Sequence, residues 1–475
     1  MNFSSELHKN PIFQTVSESA KTLNIETFVV GGFVRDLILN RPCKDIDFVC
    51  LGSGIELATE VAKRLGNPQV TIFKNFGTAN IKETEYEFEF VGARKESYRE
   101  ESRKPIVEDG TLEEDQNRRD FTINAMAISL NSSNYGELID PFGGIDHLKR
   151  KMIKTPLEPA ITFSDDPLRM MRAIRFAAQL NFDIDPDTFE AITKNTERLR
   201  IVSMERVIDE LNKIILVPKP SYGFKLLFHS GLLKVFFPEM VALHGVDSVG
   251  NNAHKDNFFH TLQVLDNVCK MSDDLWLRWA AIMHDIAKPL TKRYEEGHGF
   301  TFHGHEDKGA RMVPSLFRRL KLPLNDHMLF VQKLVRLHLR PISLVKDVSD
   351  SAIRRLLFEA GDDVDALMML CRADITSKNL EKVSRFISNF DKVEAKMKEV
   401  EGKDSIRNFQ PPVTGDEIIA LFDITPGRII GDIKEQIKEA ILDGKIRNER
   451  SEAYQLMLDI AAEKGLVKKS TVDRP

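Results

Sequence analysis

The sequence predicts an α+β protein whose sheet lies in the N-terminal part and whose remainder is mostly α-helical. Residues 27–30 form an apolar, β-prone run that stops at a pair of glycines. Residues 85–90 alternate glutamate with an aromatic residue, which is typical of a strand with one buried face. From about residue 166 onward, apolar residues recur with helical spacing, as in segments 168–180 and 329–339.

Three further segments extend this pattern. Residues 45–51 are interpreted as a second strand, because two alternating aspartates lead into an apolar run. Residues 204–216 and 259–268 have the spacing of amphipathic helices. The predicted strands therefore precede the long predicted helices.

The length of the chain predicts several domains. A chain of 475 residues exceeds what one hydrophobic core usually organises. Stretches with proline or glycine at 218–223, 245–250 and 410–415 are candidate boundaries. We therefore predict four domains, at residues 1–150, 151–218, 219–395 and 396–475.

The composition is typical of a soluble globular protein, with 42% hydrophobic and 29% charged residues. No uncharged apolar run is long enough to cross a bilayer, and the first ten residues lack the apolar stretch of a secretory signal. We therefore expect a cytoplasmic protein. The four cysteines form no CxxC pair and are expected to be reduced thiols. The formal net charge of −5 gives no global indication of nucleic-acid binding.

Residues at the ends of the first two strands suggest chemistry on phosphates. Gly31 and Gly32 stand where a strand ends and a helix should begin, so backbone amides can approach an anion closely and Arg35 can clamp a triphosphate. Asp45 and Asp47 alternate on the next strand and share one face. Paired carboxylates suit two divalent cations that assist the attack of a hydroxyl on a phosphate. Either motif alone is more often a turn or a solvated strand end.

Together, these motifs resemble the DNA polymerase β-like nucleotidyltransferase superfamily. Residues 31–36, GGFVRD, followed by Asp45 and Asp47, resemble its branch of bacterial CCA-adding enzymes and poly(A) polymerases. The resemblance implies that both aspartates hold catalytic Mg²⁺ ions. Residues 118–125, RRDFTINA, resemble the RRDFTxNA motif of this family, and the resemblance assigns Arg119 to nucleotide contact.

A segment at 165–175, DDPLRMMRAIR, predicts a helix capped by Asp166 with proline at its first position. Arg169, Arg172 and Arg175 then recur along one side of this helix. The segment resembles the amino-acid template of the family, although the residue before Asp166 is aspartate where the family usually has glutamate. Asp166 can accept from the exocyclic amine of cytosine or adenine while Arg169 donates to the ring nitrogen. The resemblance assigns all four side chains to nucleotide binding.

Two other segments also resemble this family. Residues 76–117 resemble its flexible loop, which is thought to help switch the pocket from cytosine to adenine. A long charged segment without core residues is expected to be a movable loop, and its full length predicts addition of C, C and A. Residues 203–206 resemble the next helix block, in which Glu210 and Lys213 are interpreted as surface side chains.

A second metal site is predicted downstream. His260, the adjacent His284 and Asp285, and Asp374 follow the chain order of the HD phosphohydrolase superfamily. Imidazoles and carboxylates suit a divalent transition metal or a metal pair that activates water. A lone histidine is more often a core residue, but the spaced set favours a metal site. Further candidate ligands are His303, His305 and His338.

On this resemblance, each predicted domain has a function. Residues 1–150 are the catalytic domain, 151–218 select the base and bind RNA, 219–395 form the HD domain, and 396–475 form a tRNA-binding tail. The expected partners are tRNA, ATP and CTP, with Mg²⁺ at the first site.

Three alternatives stay open at the level of sequence. A poly(A) polymerase would share the glycine, aspartate and arginine motifs. The HD domain could instead carry the principal activity, with the N-terminal part as an RNA-binding module. An inactive binding protein is the third alternative, although it would have little need for the aspartates and the arginine row together.

Overall fold

A computed structural model describes residues 1–74, 77–83, 85–99, 102–246, 248–249, 252–253, 256–296, 299–344, 349–376, 380–404, 407 and 409–469. The chain divides into two compact units, Met1–Val241 and Ala242–Pro475, and each is described by itself. The first unit contains the main sheet, and the second is largely helical. The α+β fold class is confirmed.

The first unit contains both strands and helices. Its strands are β1 (Thr27–Val30), β2 (Asp45–Cys50), β3 (Val70–Phe73), β4 (Thr78–Lys82), β5 (Glu87–Gly92), β6 (Arg94–Arg99), β7 (Ser102–Asp109), β8 (Ala127–Ser129), β9 (Leu138–Ile139), β10 (Met152–Ile153) and β11 (Asp183–Ile184). Its helices are α1 (Ser4–Leu7), α2 (Pro11–Leu23), α3 (Gly32–Ile38), α4 (Gly54–Arg64), α5 (Leu112–Asn117), α6 (Gly144–Lys149), α7 (Pro159–Asp165), α8 (Leu168–Leu180), α9 (Pro186–Asn195), α10 (Met204–Ile215), α11 (Pro220–His229), α12 (Leu232–Phe236) and α13 (Pro238–Val241).

Seven strands form one sheet in the order β3-β4-β5-β2-β1-β8-β9. Neighbouring strands are antiparallel except β2 and β5, which run parallel. Parallel pairing requires a crossover, which here consists of α4, β3 and β4. The register places Asp45 opposite Glu87 and Asp47 opposite Glu89. Acidic residues of two strands therefore meet in the middle of the sheet.

Aromatic side chains hold this sheet against helix α2. Phe48 of β2 is fully buried and stacks on Phe90 of β5, with ring centroids 5.0 Å apart. The ring of Phe13 on α2 meets Phe48 edge-on at a centroid distance of 6.0 Å. Asn10 caps α2 by accepting from the amide of Ile12 at 3.1 Å. The packing fixes the strand that carries the alternating aspartates.

The movable loop predicted at residues 76–117 is wrong for most of its length. The segment contains β4 and β5 of the main sheet, and β6 and β7 pair with each other as an antiparallel hairpin. Helix α5 then follows, opened by a capping box between Thr111 and Glu114. Backbone pairing between distant residues, which charge content does not reveal, orders this segment. Phe76 lies outside the described residues.

The second unit consists of two short hairpins and twelve helices within its described residues. Its strands are β12 (Ser248–Val249), β13 (Asn252–Ala253), β14 (Arg293–Glu295) and β15 (Gly299–Thr301). Its helices are α14 (Asn257–Cys269), α15 (Leu275–Met283), α16 (Lys288–Thr291), α17 (His305–Arg319), α18 (Asp326–Leu337), α19 (Arg340–Leu344), α20 (Asp350–Ala360), α21 (Val364–Asp374), α22 (Leu380–Asp404), α23 (Gly415–Phe422), α24 (Arg428–Leu442) and α25 (Arg450–Glu463). In the described part of the chain, no helix combines the length and apolarity needed to span a membrane.

One hydrophobic cluster joins helices α20 to α25. Its fully buried members include Leu357, Phe390, Ile433 and Met457, each from a different helix. The domain boundary predicted between residues 395 and 396 falls inside α22, so a continuous helix crosses it. The finer division of the chain into four domains stays a prediction.

Replacing Phe48 with alanine should lower the free energy of unfolding by about 3–5 kcal/mol, because a fully buried ring leaves a cavity. Phe73→Ala is the matched control, since Phe73 lies on edge strand β3 and is 45% exposed. Urea unfolding of the full chain, followed by circular dichroism, measures both. Equal losses in the two variants would contradict the described packing.

Candidate active site

A glycine turn joins strand β1 to helix α3. Gly31 has φ +75°, a conformation that residues with a side chain rarely adopt. A Cβ atom at this position would lie 3.0 Å from Nη1 of Arg119 and 3.4 Å from Oδ2 of Asp47. Glycine is therefore required both by the turn and by the close approach of these two side chains.

Carboxylates from two parallel strands form the acidic centre of this site. Asp45 and Asp47 point to the same side of β2, while Ile46 between them is fully buried. Glu89 of β5 lies opposite Asp47. The alternating pattern of residues 85–90 predicts the strand of Glu89 but not its place in the site, because strand pairing brings Glu89 there.

Burial and neighbouring carboxylates disfavour negative charge at the acidic centre. Burial raises the pKa of Asp47, and the neighbouring Asp45 and Asp115 raise it further, while Arg119 opposes them. Burial also raises the pKa of Glu89, with Asp47 as the next cause. Oxygen ligands of this kind are those that Mg²⁺ prefers in proteins. The donor set therefore fits hard divalent cations.

Arg119 lies beside the acidic centre, where the sequence predicted nucleotide contact. Its Nε and Nη2 atoms donate to Oδ2 of Asp115 at 3.2 and 3.1 Å. Asp115 is fully buried and also binds Arg118, so these two guanidinium groups lower its pKa despite burial. Asp115 fixes the direction of Arg119. This role of Asp115 was not predicted, because the residue belongs to a segment that was expected to be a loop.

Arg35 has a different role from the predicted phosphate clamp. Its guanidinium donates to both carboxylate oxygens of Asp36 at 2.9 and 2.7 Å and to Oδ1 of Asn124 at 2.8 Å. The residue is only 5% exposed. A buried charge has to be paired, and Asp36 is the nearest partner in the chain. Arg35 therefore supports the glycine turn, and the geometry does not support a direct phosphate contact.

Asp166 and Arg169 stand at the junction of α7 and α8. Oδ1 of Asp166 accepts from the amide of Leu168 at 3.1 Å, which fits the predicted capping role, although the helix begins at Leu168. Oδ2 of Asp166 lies 3.8 Å from Nη2 of Arg206. Arg169 donates to the carbonyl oxygens of Arg118 and Thr162. The predicted template pair is thus adjacent to the segment that carries Arg119.

The other two arginines of the predicted row are held in ion pairs. Nε of Arg172 donates to Asp120 at 2.7 Å. Burial alone would raise the pKa of Asp120, but Arg172 and a hydrogen bond from Asn124 bring it to about 2. Nε of Arg175 lies 2.6 Å from Oε2 of Glu210. Their assignment to nucleotide binding stays a prediction, but the contacts favour a supporting role.

The interpretation of Glu210 as a surface residue is wrong. Glu210 is 4% exposed and forms its ion pair inside the packing of α8 against α10. The guanidinium of Arg175 also lies over the ring of Phe176, 4.0 Å from its centroid. Amphipathic spacing places Glu210 on the buried face of α10, where ion pairs with Arg175 at 2.6 Å and Lys213 at 3.3 Å stabilise its carboxylate.

A second cluster lies in the other unit, centred on Asp285. Oδ2 of Asp285 lies 3.2 Å from Nε2 of His284 and 3.5 Å from Nε2 of His260. Asp374 completes this half of the cluster, with its Oδ1 2.9 Å from Nε2 of His260. The four residues predicted as the HD site are therefore brought together. They come from α14, the end of α15 and the end of α21.

Two further histidines face the other oxygen of Asp285. Nε2 of His305 lies 3.3 Å from Oδ1, and Nε2 of His338 lies 3.9 Å from it. These two candidate ligands belong to the cluster. His303 does not, because its side chain is 84% exposed and faces Glu295. His303 as a metal ligand is therefore wrong.

Hydrogen bonds orient the imidazoles of this cluster. The Nδ1 atoms of His284, His305 and His338 lie 2.7–2.8 Å from backbone carbonyl oxygens, which fixes Nδ1 as the donor. Within the described part of the chain, each corresponding Nε2 atom is buried without a hydrogen-bond partner. Burial and the charge of His284 lower the pKa of His338 to about 4, so the ring of His338 is neutral at pH 7. Imidazole Nε2 atoms directed at a buried carboxylate fit a transition metal.

The geometry of the first unit defines a class of enzyme. Carboxylates on neighbouring strands, beside a glycine turn and an oriented arginine, form the site of a metal-dependent nucleotidyltransferase. Residues 27–154 match the poly A polymerase head domain, residues 181–243 match the probable RNA and SrmB-binding site of polymerase A, and residues 257–379 match the HD domain.

Similar proteins refine this class. A multifunctional CCA protein of Nitrosococcus oceani is 33% identical over 75% of this chain and 86% of its own length. An A-adding tRNA nucleotidyltransferase of Aquifex aeolicus is 44% identical over 39% of this chain and 23% of its own length. The chain belongs to the family of CCA-adding tRNA nucleotidyltransferases and poly(A) polymerases, as its motifs predicted.

A solved structure supports the fold. The CCA-adding enzyme of Bacillus stearothermophilus in complex with CTP superposes with a TM-score of 0.65 at 22% identity, over 96% of this chain and 99% of the other. The resemblance in fold thus extends over nearly the full length of both chains.

Removing one partner of the buried pair between Arg175 and Glu210 should destabilise the first unit. Glu210→Ala is expected to lower the free energy of unfolding by about 3–5 kcal/mol, because Arg175 is left buried without its counter-charge. The double variant Arg175→Met, Glu210→Leu should recover most of this loss. Chemical unfolding of the parent and the two variants tests the pair, and a double variant no more stable than Glu210→Ala would contradict it.

Proposed function

We propose that this enzyme adds C, C and A to the 3′ end of tRNA, using CTP and ATP without a nucleic-acid template. The observation that carries the proposal is the acidic centre of Asp45, Asp47 and Glu89 beside Arg119. Asp166 and Arg169 at the start of α8 supply a complementary acceptor and donor for a base. The relationship to multifunctional CCA proteins supports tRNA as the substrate.

Each group at the acidic centre has a distinct task in this proposal. Asp45, Asp47 and Glu89 would hold two Mg²⁺ ions, which activate the 3′-hydroxyl and neutralise charge on the α-phosphate when bound. Arg119, oriented by Asp115, contacts phosphate or ribose oxygens of the nucleotide. The glycine turn lets the Arg119 guanidinium and the Asp47 carboxylate lie against the backbone, where a side chain at position 31 would crowd them.

Base selection follows from hydrogen-bond complementarity. Cytosine and adenine each present an amino donor beside a ring-nitrogen acceptor, which match a carboxylate and a guanidinium. Guanine and uracil present the opposite order and would set an acceptor against Asp166. Arg169 reaches a base by exchanging its bond to the carbonyl of Arg118. Arg172 and Arg175 support this helix indirectly, through their ion pairs with Asp120 and Glu210.

Addition of A alone is a second candidate, because the A-adding enzyme of Aquifex aeolicus is 44% identical over 189 residues. Such an enzyme would require tRNA that already ends in CC. A poly(A) polymerase would likewise not use CTP. Product sequences therefore distinguish the three activities.

The test combines purified protein, Mg²⁺, CTP and ATP with tRNA that ends at the discriminator base. We expect CCA ends, and we expect Asp45→Asn and Asp47→Asn to reduce the rate by at least about 10³-fold, because each loses a ligand charge for the metals. Sequencing of single-turnover products reads the outcome. Ends without cytidine would contradict CCA addition, and activity retained by the double variant Asp45→Asn, Asp47→Asn would contradict the assigned site.

We further propose that the cluster around Asp285 binds up to two divalent transition-metal ions and hydrolyses a phosphoester. The supporting observation is the division of its imidazoles between the two oxygens of one carboxylate. His260, His284 and Asp374 would hold one ion, and His305 and His338 the other, with Asp285 shared. Metal-bound water supplies the nucleophile in such sites.

His284→Ala should remove at least about 90% of phosphoester hydrolysis and lower the metal bound per chain, because a coordinating nitrogen is lost. Nucleotide addition should persist. The control is His303→Ala, whose histidine lies outside the cluster. Metal content after dialysis, hydrolysis of a phosphodiester and tRNA extension are measured on the same preparations. Unchanged metal content in His284→Ala would refute the assignment.

A further inference from the structure

Lys288 contributes a cation to the cluster around Asp285. It is the first residue of α16, three positions after Asp285, and its amide donates to the Asp285 carbonyl at 2.9 Å. Its ammonium Nζ donates to Oδ2 of Asp285 at 2.6 Å. The side chain of Lys288 is 19% exposed, whereas that of Asp285 is 1% exposed. The lysine thus reaches the buried carboxylate from the edge of the cluster.

The oxygen that Lys288 contacts is also the one that faces His284 and His260. The distances from Oδ2 to their Nε2 atoms are 3.2 and 3.5 Å. A divalent cation between these nitrogens would need the same oxygen. Two cations at such short range repel each other strongly in a buried setting, whereas either alone is attracted to Asp285. A lysine side chain is long and flexible enough to withdraw.

Lys288 has an aromatic neighbour in addition to Asp285. Its ammonium lies 5.7 Å from the ring centroid of Phe302, within the range of a cation–π contact. Because the lysine is partly exposed, its head group can move outward while the stem remains on α16. Withdrawal would leave the charge over an aromatic face and near solvent.

We propose that Lys288 is an exchangeable counter-ion, which neutralises Oδ2 of Asp285 until a divalent cation replaces it at that oxygen. The inference rests on the proposed binding of metal by this cluster and adds a residue that opposes it. Lys288 keeps Asp285 from being a buried, unpaired charge, and it makes metal binding weaker and more selective for ions that coordinate imidazole strongly. A purely structural lysine would not oppose the metal.

Variants of Lys288 distinguish an exchangeable counter-ion from a purely structural lysine. Lys288→Met removes the charge and keeps the apolar stem, Lys288→Arg keeps the charge, and Lys270→Met is the control at an exposed lysine of α14's C-terminal end. All are made in the full chain carrying Asp45→Asn and Asp47→Asn, so that metal at the other site does not contribute. Titration with Mn²⁺ or Zn²⁺ against a chromophoric chelator gives the affinity.

Lys288→Met should bind the metal about tenfold more tightly, because a competing charge at one oxygen has been removed. Lys288→Arg and Lys270→Met should stay within about threefold of the parent. Thermal unfolding provides a second readout: Lys288→Met should melt earlier than the parent without metal and gain more in melting temperature when metal is added. Unchanged or weaker metal affinity in Lys288→Met would overturn the proposal.

The result also distinguishes this inference from the proposed hydrolase. Metal binding that tightens in Lys288→Met without any phosphoester hydrolysis would support the counter-ion and overturn the hydrolase. Binding that appears only after Lys288→Met would overturn the exchange, because no divalent cation would then replace Lys288 in the parent. Absence of metal binding in the parent, Lys288→Met and Lys288→Arg would overturn both.

Discussion

Carboxylates in positions of low hydration, which require cations or hydrogen-bond donors around them, define both chemical centres. The pairing of β2 with β5 sets Asp47 against Glu89, and burial raises the pKa of each. In the second unit, the completely buried Asp285 faces imidazoles on both of its oxygens. Such arrangements become stable when cations lie among them. The fold supplies part of that charge through Arg119 and Lys288, and divalent ions fit the remainder.

The arginines of the first unit have two kinds of role. Some are held in buried ion pairs, and others can contact a ligand. Arg35 is enclosed by Asp36 and Asn124, and Arg175 is enclosed by Glu210. Arg119 keeps its Nη1 atom directed toward the glycine turn while Asp115 holds the rest of the group. Arg169 donates to backbone carbonyl oxygens. Arg169 can exchange a carbonyl partner for a ligand. Arg35 and Arg175 cannot leave their carboxylate partners without leaving a buried charge unpaired.

Local sequence patterns predicted most of the secondary structure but not the partners of buried charges. Strand β1 and helix α8 have the bounds expected from their apolar spacing. The hairpin of β6 and β7 was predicted as loop, because its order comes from pairing between segments rich in charge. Glu210 has a polar side chain on an otherwise apolar face, and spacing alone cannot identify the arginine that meets it. Such pairings depend on tertiary geometry rather than on neighbours in the chain.

The clustering of His260, His284, Asp285 and Asp374 could be predicted, because their residue chemistry is distinctive. Histidine beside aspartate, with further histidines at intervals, restricts the possible functions strongly. His260, His305, His338 and Asp374 come from segments of the chain that are separate from His284 and Asp285. Glu89 and Asp115 were missed, since glutamate and aspartate on a charged segment have many ordinary roles. Their assignment required the register of β5 and the helical start of α5.

The parallel pairing of β2 with β5 has a consequence for how the enzyme matures. All of α4, β3 and β4 intervene between the two strands, so the acidic residues of β2 meet their neighbour on β5 only after this long chain segment has closed. Contacts between residues far apart in sequence form slowly. A nascent chain that has only reached β2 therefore possesses the aspartates but no assembled centre. The acidic centre is therefore complete only once β5 has paired with β2.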